Sequence, residues 1–270
     1  MLINDHTGYQ MLYERLRQFG SLAVAFSGGV DSTFLLKAAS DALPGKVLAL
    51  TVSAPYIPQW EIQEASELAS MMQVPHHIVP LETLSALTNN PPERCYICKK
   101  AVFGRLIKEA QKLGYQHIAD GTNADDAYDY RPGRKALKEL NVHSPLLETG
   151  LGKEEIRKLS AILGLPTANK PAYACLLTRI PHNTHVTDNM LKIIEEAEWY
   201  LHSVGFPDIR VRHHGDIARI EVPEHMMPKL ISSSQLAKII AHLKHLGYRY
   251  VTLDLEGYRR PDSSGKNMIP

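Results

Sequence analysis

The stretch Leu22 to Leu36, LAVAFSGGVDSTFLL, restricts this chain more than any other. An apolar run ends in two adjacent glycines, and an acid and hydroxyls lead into a second apolar run. That order predicts a strand, a tight loop and a helix. Gly28 and Gly29 let successive backbone N–H groups approach an anion closely, and the start of the helix adds partial positive charge. Ser27 and Ser32 can donate further hydrogen bonds. Asp31 would repel a phosphate by itself, so it belongs beside a magnesium ion that bridges the two. The string is neither of the common nucleotide loops. GxxxxGK[ST] needs a lysine that is missing here, and GxGxxG does not occur. A turn that binds nothing is the plain alternative, and the two hydroxyls with the acid, between a strand and a helix, argue against it.

The surrounding pattern agrees with a layered α/β fold. VLALTV (47–52), HHIVPL (76–81) and HIADG (117–121) have strand length and composition. Between and after them TFLLKAASDAL, EIQEASELASMM, KKAVFGRLIKEAQKLG and KEEIRKLSAILGLP have helical spacing, the last stopped by Gly164 and Pro166. Alternation of this kind predicts a parallel sheet with helices on both faces. The pattern changes at PAYACLLTRIPHNTH (171–185), which reads as a loop. A helix capped by Thr187 or Asp188 follows. IRVRHHGD and IARIEV read as paired strands with a turn at Gly215–Asp216, MMPKLISSSQLAKIIAHLKHLG as helical in part, and YRYVTLDLEG as a final strand. The expected organisation is an α/β domain over 1–180 and a smaller α+β domain over 181–270. The tail RRPDSSGKNMIP is expected to be loose.

With 270 residues the chain has room for two modest domains, and its formal net charge of +1 favours neither a nucleic-acid nor a membrane-surface partner. No apolar run approaches the roughly 20 residues of a membrane span. MLINDHTGYQ has neither the basic flank nor the apolar core of a signal peptide. Three cysteines, an odd number, argue against a disulfide framework and for the reducing cytoplasm.

Those cysteines need another purpose. Cys95 and Cys98 in PPERCYICKK (91–100) are spaced CxxC at the expected start of a helix, about one turn apart. Arg94, Lys99 and Lys100 beside them favour thiolate. Cys175 stands in the Pro-rich loop with Lys170 and Arg179 near it in sequence. Four readings stand side by side. The first is a zinc site completed by His182, His185, His76 or His77. The second is a redox pair, and the third is plain burial. The fourth is an iron–sulfur cluster with three thiolates and one iron open to a free sulfide.

SGGVDS resembles the PP-loop of the ATP pyrophosphatase superfamily, which cleaves ATP to AMP and pyrophosphate. DGTNADD (120–126) is similar to its second nucleotide-side loop, which implies that Gly121 and Asn123 lie near ATP. The likeness implies the adenine nucleotide alpha-hydrolase-like fold for the first domain. Most of the chain resembles the LarE family, which inserts sulfur during nickel-pincer nucleotide synthesis. The matching stretches are SGGVDS, PPERCYICKK, GTNADDAYDYRPGRKAL, SPLLETGLGKEEIRKLSAILGLPTANKPAYACLLTRIP, EEAEWYLHSVGF, IRVRHHGDIARIEV and LDLEGYR. The segment around Cys175 and RVRHHGDIARIEV are the most specific of them.

The resemblance implies ATP-dependent adenylation of the carboxylates of pyridinium-3,5-biscarboxylic acid mononucleotide, followed by their conversion to thiocarboxylates. It implies ATP and Mg2+ as cofactors. Because all three cysteines are present, it also implies a [4Fe-4S] cluster on Cys95, Cys98 and Cys175 that carries a delivered sulfide. Members with only the cysteine matching Cys175 instead sacrifice it, leaving dehydroalanine. Arg179, Arg210 and Arg212 are candidates for the substrate's phosphate and carboxylate, since guanidinium matches both. Arg210 and Arg212 are two apart on a strand and share a face. Glu198 and Glu221 match family acids that can bind a divalent metal between subunits; as solitary residues they would be ordinary surface acids. His213 and His214 are expected to point to opposite faces. The second domain is implied to serve substrate binding and oligomerisation, and the whole to form a homo-oligomer, a hexamer, in the cytoplasm. Two departures stand out: His182 and Asn183 follow Pro181 where the family has tyrosine and glycine, and RPDSSGKN replaces a short Gly-Ser-Leu-Asn-like run.

Rival functions are a PP-loop enzyme that thiolates tRNA, which calls for a basic surface, and a module that binds ATP without chemistry. PP-loop amidation has no use for three thiols.

Overall fold

The structure is a computed structural model, and it describes residues 6–127, 132–171 and 173–258. The chain divides into two compact units. One holds the chain up to Glu82 together with Glu93–Tyr173; the other holds Thr83–Pro92 and the described chain from Ala174 onward.

In the first unit helix α1 (Thr7–Arg17) leads into strand β1 (Leu22–Ala25). Helix α2 (Val30–Ala42), β2 (Val47–Ser53), α3 (Gln59–Met71) and β3 (His76–Pro80) follow. After the excursion through 83–92 come α4 (Arg94–Lys112), β4 (Ile118–Ala119), α5 (Pro132–Glu139), α6 (Pro145–Glu148) and α7 (Lys153–Ile162). The four strands pair in the order β3-β2-β1-β4, and every pairing is parallel. β2 is buried along nearly its whole length, as a strand covered on both faces must be. Its unbroken VLALTV is the sequence expression of that burial. α2 is buried nearly all round, with Phe34, Leu35 and Leu36 fully inaccessible.

The order of strands matters for function. From β1 the sheet grows one way through β2 to β3, and β4 lies on the other side of β1. Loops leaving the carboxyl ends of β1 and β4 therefore diverge and leave a crevice, the usual ligand position in an open parallel sheet. The Gly-rich loop leaves β1 and the 120–126 loop leaves β4.

In the second unit α8 (Asp188–Ser203) packs on β5 (Arg210–His214), and β6 (Ile217–Glu221), α9 (Met227–Ile231), α10 (Leu236–His245) and β7 (Tyr250–Leu253) follow. β5 and β6 are antiparallel around the turn at Gly215, whose φ is +61°, and β7 joins β6 in parallel. Of the two cap candidates Thr187 is the cap: its hydroxyl accepts the Met190 N–H at 3.2 Å. Val211, Ala218, Ile220, Ala197, Leu201 and Leu243 form the core.

The compact units meet in sequence at Tyr173 and Ala174, and 83–92 belongs with the second unit, so they differ from a single cut at 180. Asn90 supplies the physical reason. It is fully buried with φ +45°, and its amide donates to the carbonyls of Leu177, Ile180 and Pro181 at 3.1, 2.8 and 3.0 Å. Nothing local in LTNNPP announces that long-range bonding. Helix α1 has no counterpart in the sequence reading. The tail from Arg259, with its RPDSSGKN departure, and the YDYR stretch at 128–131 lie outside the described residues. No helix among the described residues is long and apolar enough to cross a membrane.

Candidate active site

The Gly-rich loop closes on itself. The Ser27 and Ser32 hydroxyls are 3.1 Å apart, and Ser32 Oγ donates to the Gly29 carbonyl at 3.2 Å. Gly28 has φ +67°, and a Cβ there would meet the Ala65 backbone of α3 at 3.2 Å. Both the conformation and the space require glycine. Gly29 is the N-cap of α2 and makes no side-chain cap, so the helix start is left for an external anion. The loop after β4 presses on the same helix start. A Cβ on Gly121 would lie 3.0 Å from the Ser32 nitrogen.

Between these loops lies a cavity of about 360 Å³ within the first unit. Ser27, Gly29, Asp31, Ser32, Gly121 and Thr122 line its polar end; Leu50, Val52, Ile57, Ile62, Phe103 and Leu106 line an apolar end. A polar end at a helix start and an apolar slot beside a strand suit a phosphate chain and a flat base. Asn123 is not on that wall. Its Oδ1 accepts the N–H groups of Asp125 and Asp126 at 3.0 and 3.3 Å, and its own N–H goes to Asp126, so it shapes the loop.

Two lysines from farther along the chain contact the Gly-rich loop and the start of α2. Lys153, the first residue of α7, reaches Asp31 Oδ2 with its Nζ at 2.6 Å. Lys170 donates to the Gly28 carbonyl and to Glu64, both at 2.8 Å, and pins the loop to α3. Asp120, Asp126, Lys99 and Arg134 also line the cavity. They lie within the stretches DGTNADD, PPERCYICKK and GTNADDAYDYRPGRKAL, but nothing local in those strings marks them as facing the cavity. The available hint for Lys153 is its place: a cation at a helix N-terminus opposes the helix dipole and needs another reason to be there.

Cys95 and Cys98 are on the first turns of α4, the first exposed and the second half-buried. Cys98 Sγ lies 3.5 Å from the Tyr56 hydroxyl. Burial pushes the Cys98 thiol up; the Tyr56 hydrogen bond and the Lys99 ammonium oppose this and lose. Basic neighbours therefore do not make Cys98 a ready thiolate, contrary to the sequence expectation. One reason is that Lys100 is turned to Glu139 and Tyr96, at 2.9 and 3.1 Å. His76 also belongs to this unit, 2.7 Å from Thr51, and His77 faces Glu109.

Cys175 belongs to the second unit, where it caps a 3-10 turn, Leu176–Arg179. The candidate arginines are in that unit too. Arg179 forks onto Glu198 with two 2.9 Å bonds, and its remaining nitrogen donates to the Ala174 carbonyl at 2.8 Å and the Cys175 carbonyl at 3.4 Å. Burial lowers the Arg179 pKa, but the Glu198 carboxylate outweighs it and the net shift is upward. Arg212 forks onto Glu221, again with two 2.9 Å bonds, and also donates to the Thr178 carbonyl. Glu221 receives Arg219 as well, at 3.0 Å, and Glu198 accepts the Val211 N–H at 2.8 Å. Arg210 is 1% exposed, with its guanidinium over the Tyr258 ring. Both acids are thus buried ion-pair partners. His213 is buried beside the Tyr248 hydroxyl and His214 is exposed, on opposite faces of β5. His182 and His185 approach Asn90 and Asn89 in the same unit. Among the described residues, neither unit gathers three or more His, Cys, Asp and Glu side chains into a metal-holding group.

Residues 21–93 match the family described as queuosine biosynthesis protein QueC. The pyridinium-3,5-bisthiocarboxylic acid mononucleotide synthase of Lactiplantibacillus plantarum is 38% identical over 251 residues, 92% of this chain and 90% of that one. An uncharacterised protein of Synechocystis sp. is 39% identical over 252 residues, 91% of this chain and 94% of its own. The tRNA-specific 2-thiouridylase MnmA of Moorella thermoacetica is 29% identical over 188 residues, 54% of this chain and 53% of that protein. Nearly full-length likeness to the synthase, together with the loop and crevice of a PP-loop fold, gives the kinship: the chain belongs to the pyridinium-3,5-bisthiocarboxylic acid mononucleotide synthase (LarE) family of ATP-dependent sulfur-transferring PP-loop enzymes.

Proposed function

We propose that this protein uses ATP to adenylate the carboxylates of pyridinium-3,5-biscarboxylic acid mononucleotide and exchanges AMP for sulfur, giving thiocarboxylates. The cavity between the β1 and β4 loops carries the reading, because it joins an anion-binding helix start to a base-sized apolar slot. A carboxylate oxygen is a poor leaving group. Attack on the α-phosphorus of ATP expels pyrophosphate and turns that oxygen into part of AMP, which a sulfur nucleophile then displaces. The start of α2, Ser27 and Ser32 hold the departing pyrophosphate, whose charge develops as the bond breaks.

Magnesium fits the residues present. Asp31 Oδ1 is buried with no hydrogen-bond partner among the described residues, and a carboxylate oxygen is the hard donor that this ion takes. When bound it stabilises the charge developing on the leaving pyrophosphate.

For the sulfur source, the three cysteines outside any disulfide, Cys95, Cys98 and Cys175, would hold a [4Fe-4S] cluster, which when bound would present a sulfide at its open iron. The soft-donor set suits such a cluster, and the CxxC pair on one helical turn supplies two of its ligands. Arg179 supports a role for Cys175, since its guanidinium binds the Ala174 and Cys175 carbonyls and fixes that segment. Arg179, Arg210 and Arg212 would recognise the substrate's phosphate and carboxylate by giving up the contacts that now hold them. Glu198 and Glu221 remain candidates for a divalent metal only by exchanging their arginine partners. The reading includes a two-domain division near 180, with the second domain serving substrate and oligomerisation, a hexameric homo-oligomer, and the cytoplasm as its site of action.

The test is anaerobic reconstitution with iron and sulfide, followed by ATP, magnesium and the biscarboxylated nucleotide. AMP and thiocarboxylate should form, and a visible cluster absorption should vanish in Cys95→Ser. Dehydroalanine at residue 175 would assign Cys175 as a consumed donor. Colourless protein with full activity would end the cluster reading. Salt-dependent tRNA binding without turnover of the pyridinium substrate would move the chain toward the thiouridylases.

A further inference from the structure

The sequence leaves Lys153 unassigned, and the fold gives it a place. Its backbone N–H donates to Asp125 Oδ2 at 2.7 Å, so the loop after β4 caps α7. That cap aims the lysine side chain back at the start of α2, where its ammonium meets Asp31 Oδ2 at 2.6 Å. The contact is unlike a finished structural ion pair. It is a single contact, it is partly exposed, and the other carboxylate oxygen is buried without a hydrogen-bond partner among the described residues. Lys153 also stands at the positive ends of two helices, its own and α2, where a cation is unfavourable and an anion is stabilised. A cation tolerated there is one held by a carboxylate until a stronger partner for each arrives.

We propose that Lys153 is the resident counter-ion of Asp31 in the empty site and changes partner when the nucleotide binds. Asp31 passes to the divalent cation, and the Lys153 ammonium passes to a phosphate oxygen. The lysine thereby replaces the one that other phosphate loops carry within the loop itself. It also keeps the Asp31 seat closed to a metal that arrives without nucleotide. The proposal rests on the reading of Asp31 as the magnesium-side residue.

The test uses the full-length protein and two probes. Manganese alone, followed by its electron paramagnetic resonance, reports the Asp31 seat. Mg2+ with α,β-methylene-ATP, which cannot be cleaved where ATP is, reports the nucleotide by calorimetry. Lys153→Met should shift the two in opposite directions: manganese alone binds about tenfold tighter, and the nucleotide about 10- to 100-fold weaker. Lys153→Arg, which keeps a cation on Asp31, should show none of that gain in manganese binding. A lysine that merely braced the loop would weaken both probes together or neither, and either result overturns the exchange. Asp31→Asn separates the underlying reading. If it binds manganese with nucleotide as well as wild type does, Asp31 is not the metal residue and the exchange falls with it. If it loses that binding while Lys153→Met changes nothing, the exchange alone is wrong.

Discussion

Asp31 in the first unit and Glu198 in the second are each held by one basic side chain, and the manner of holding differs. Lys153 touches one oxygen of Asp31, the two side chains are 34% and 22% exposed, and the second oxygen has no hydrogen-bond partner among the described residues. Arg179 forks onto both oxygens of Glu198, a backbone N–H completes the acid, and the pair is 2% and 7% exposed. A point-like ammonium on a flexible stem can leave. A planar guanidinium in a bidentate grip is a frame. The first arrangement belongs where ligands come and go, and the second where a loop such as the one around Cys175 must be held.

The largest expected effect breaks the frame. Glu198→Ala leaves the Arg179 charge buried without its acid and the Val211 N–H without its acceptor. Loss of one partner from a buried pair costs about 3–5 kcal/mol. Urea denaturation can read this unit by itself, because Trp199 belongs to it and the chain's only other tryptophan, Trp60, to the first. In a Trp60→Phe background the Trp199 transition should move to much lower urea. A change below about 1 kcal/mol would place this pair in the same class as exposed ones.

Next in size is Gly28→Ala. At φ +67° with Ala65 backbone 3.2 Å from the added carbon, alanine is strained in both conformation and space. Strain of this kind is about 1–3 kcal/mol, and relief of it deforms the loop that faces the phosphates. Nucleotide affinity should fall with stability, whereas Glu198→Ala should leave the first unit's Trp60 transition in place.

Lys153→Met should cost the first unit less than about 1 kcal/mol in stability, since a half-exposed single contact contributes little. This is the sharpest form of the comparison: two carboxylate pairs, one whose loss unfolds and one whose loss changes only binding. A cost near that of Glu198→Ala would make Lys153 part of the frame.

The difference also explains what was legible in the sequence. SGGVDS carries its site in consecutive residues, since a strand, two glycines and a helix start are local physics. The parallel sheet followed from apolar runs alternating with helical ones. The ion pairs did not follow. Arg179 and Glu198 are 19 positions apart and Arg212 and Glu221 are 9 apart, joined by the pairing of β5 with β6 and by the approach of the 3-10 turn to α8. The rule of alternate residues placed Arg210 and Arg212 on one face, but whether a guanidinium meets solvent, substrate or an acid depends on the register across the strand pair. Lys153 and Lys170 are 122 and 142 residues from their partners in the Gly-rich loop, beyond the reach of any spacing rule.

The smallest expected effect concerns pH and the second unit's core. His213 is buried next to the Tyr248 hydroxyl, and burial, then the neighbouring His214, lowers its pKa from the ordinary 6.5. His214, though exposed at its edge of β5, is lowered too, by the partial desolvation of its ring and then by Arg219 and Arg212, with Glu221 opposing. A histidine held neutral in the fold but free to protonate in the unfolded chain makes the unfolded state bind more protons below about pH 6.5. Stability should therefore be constant above that pH and decline as pH falls through it toward the lower folded pKa. The Trp199 transition should show the decline, and His213→Gln, which can still bond Tyr248, should flatten it. A decline that persists unchanged in His213→Gln would assign it to His214, whose pKa is lowered as well.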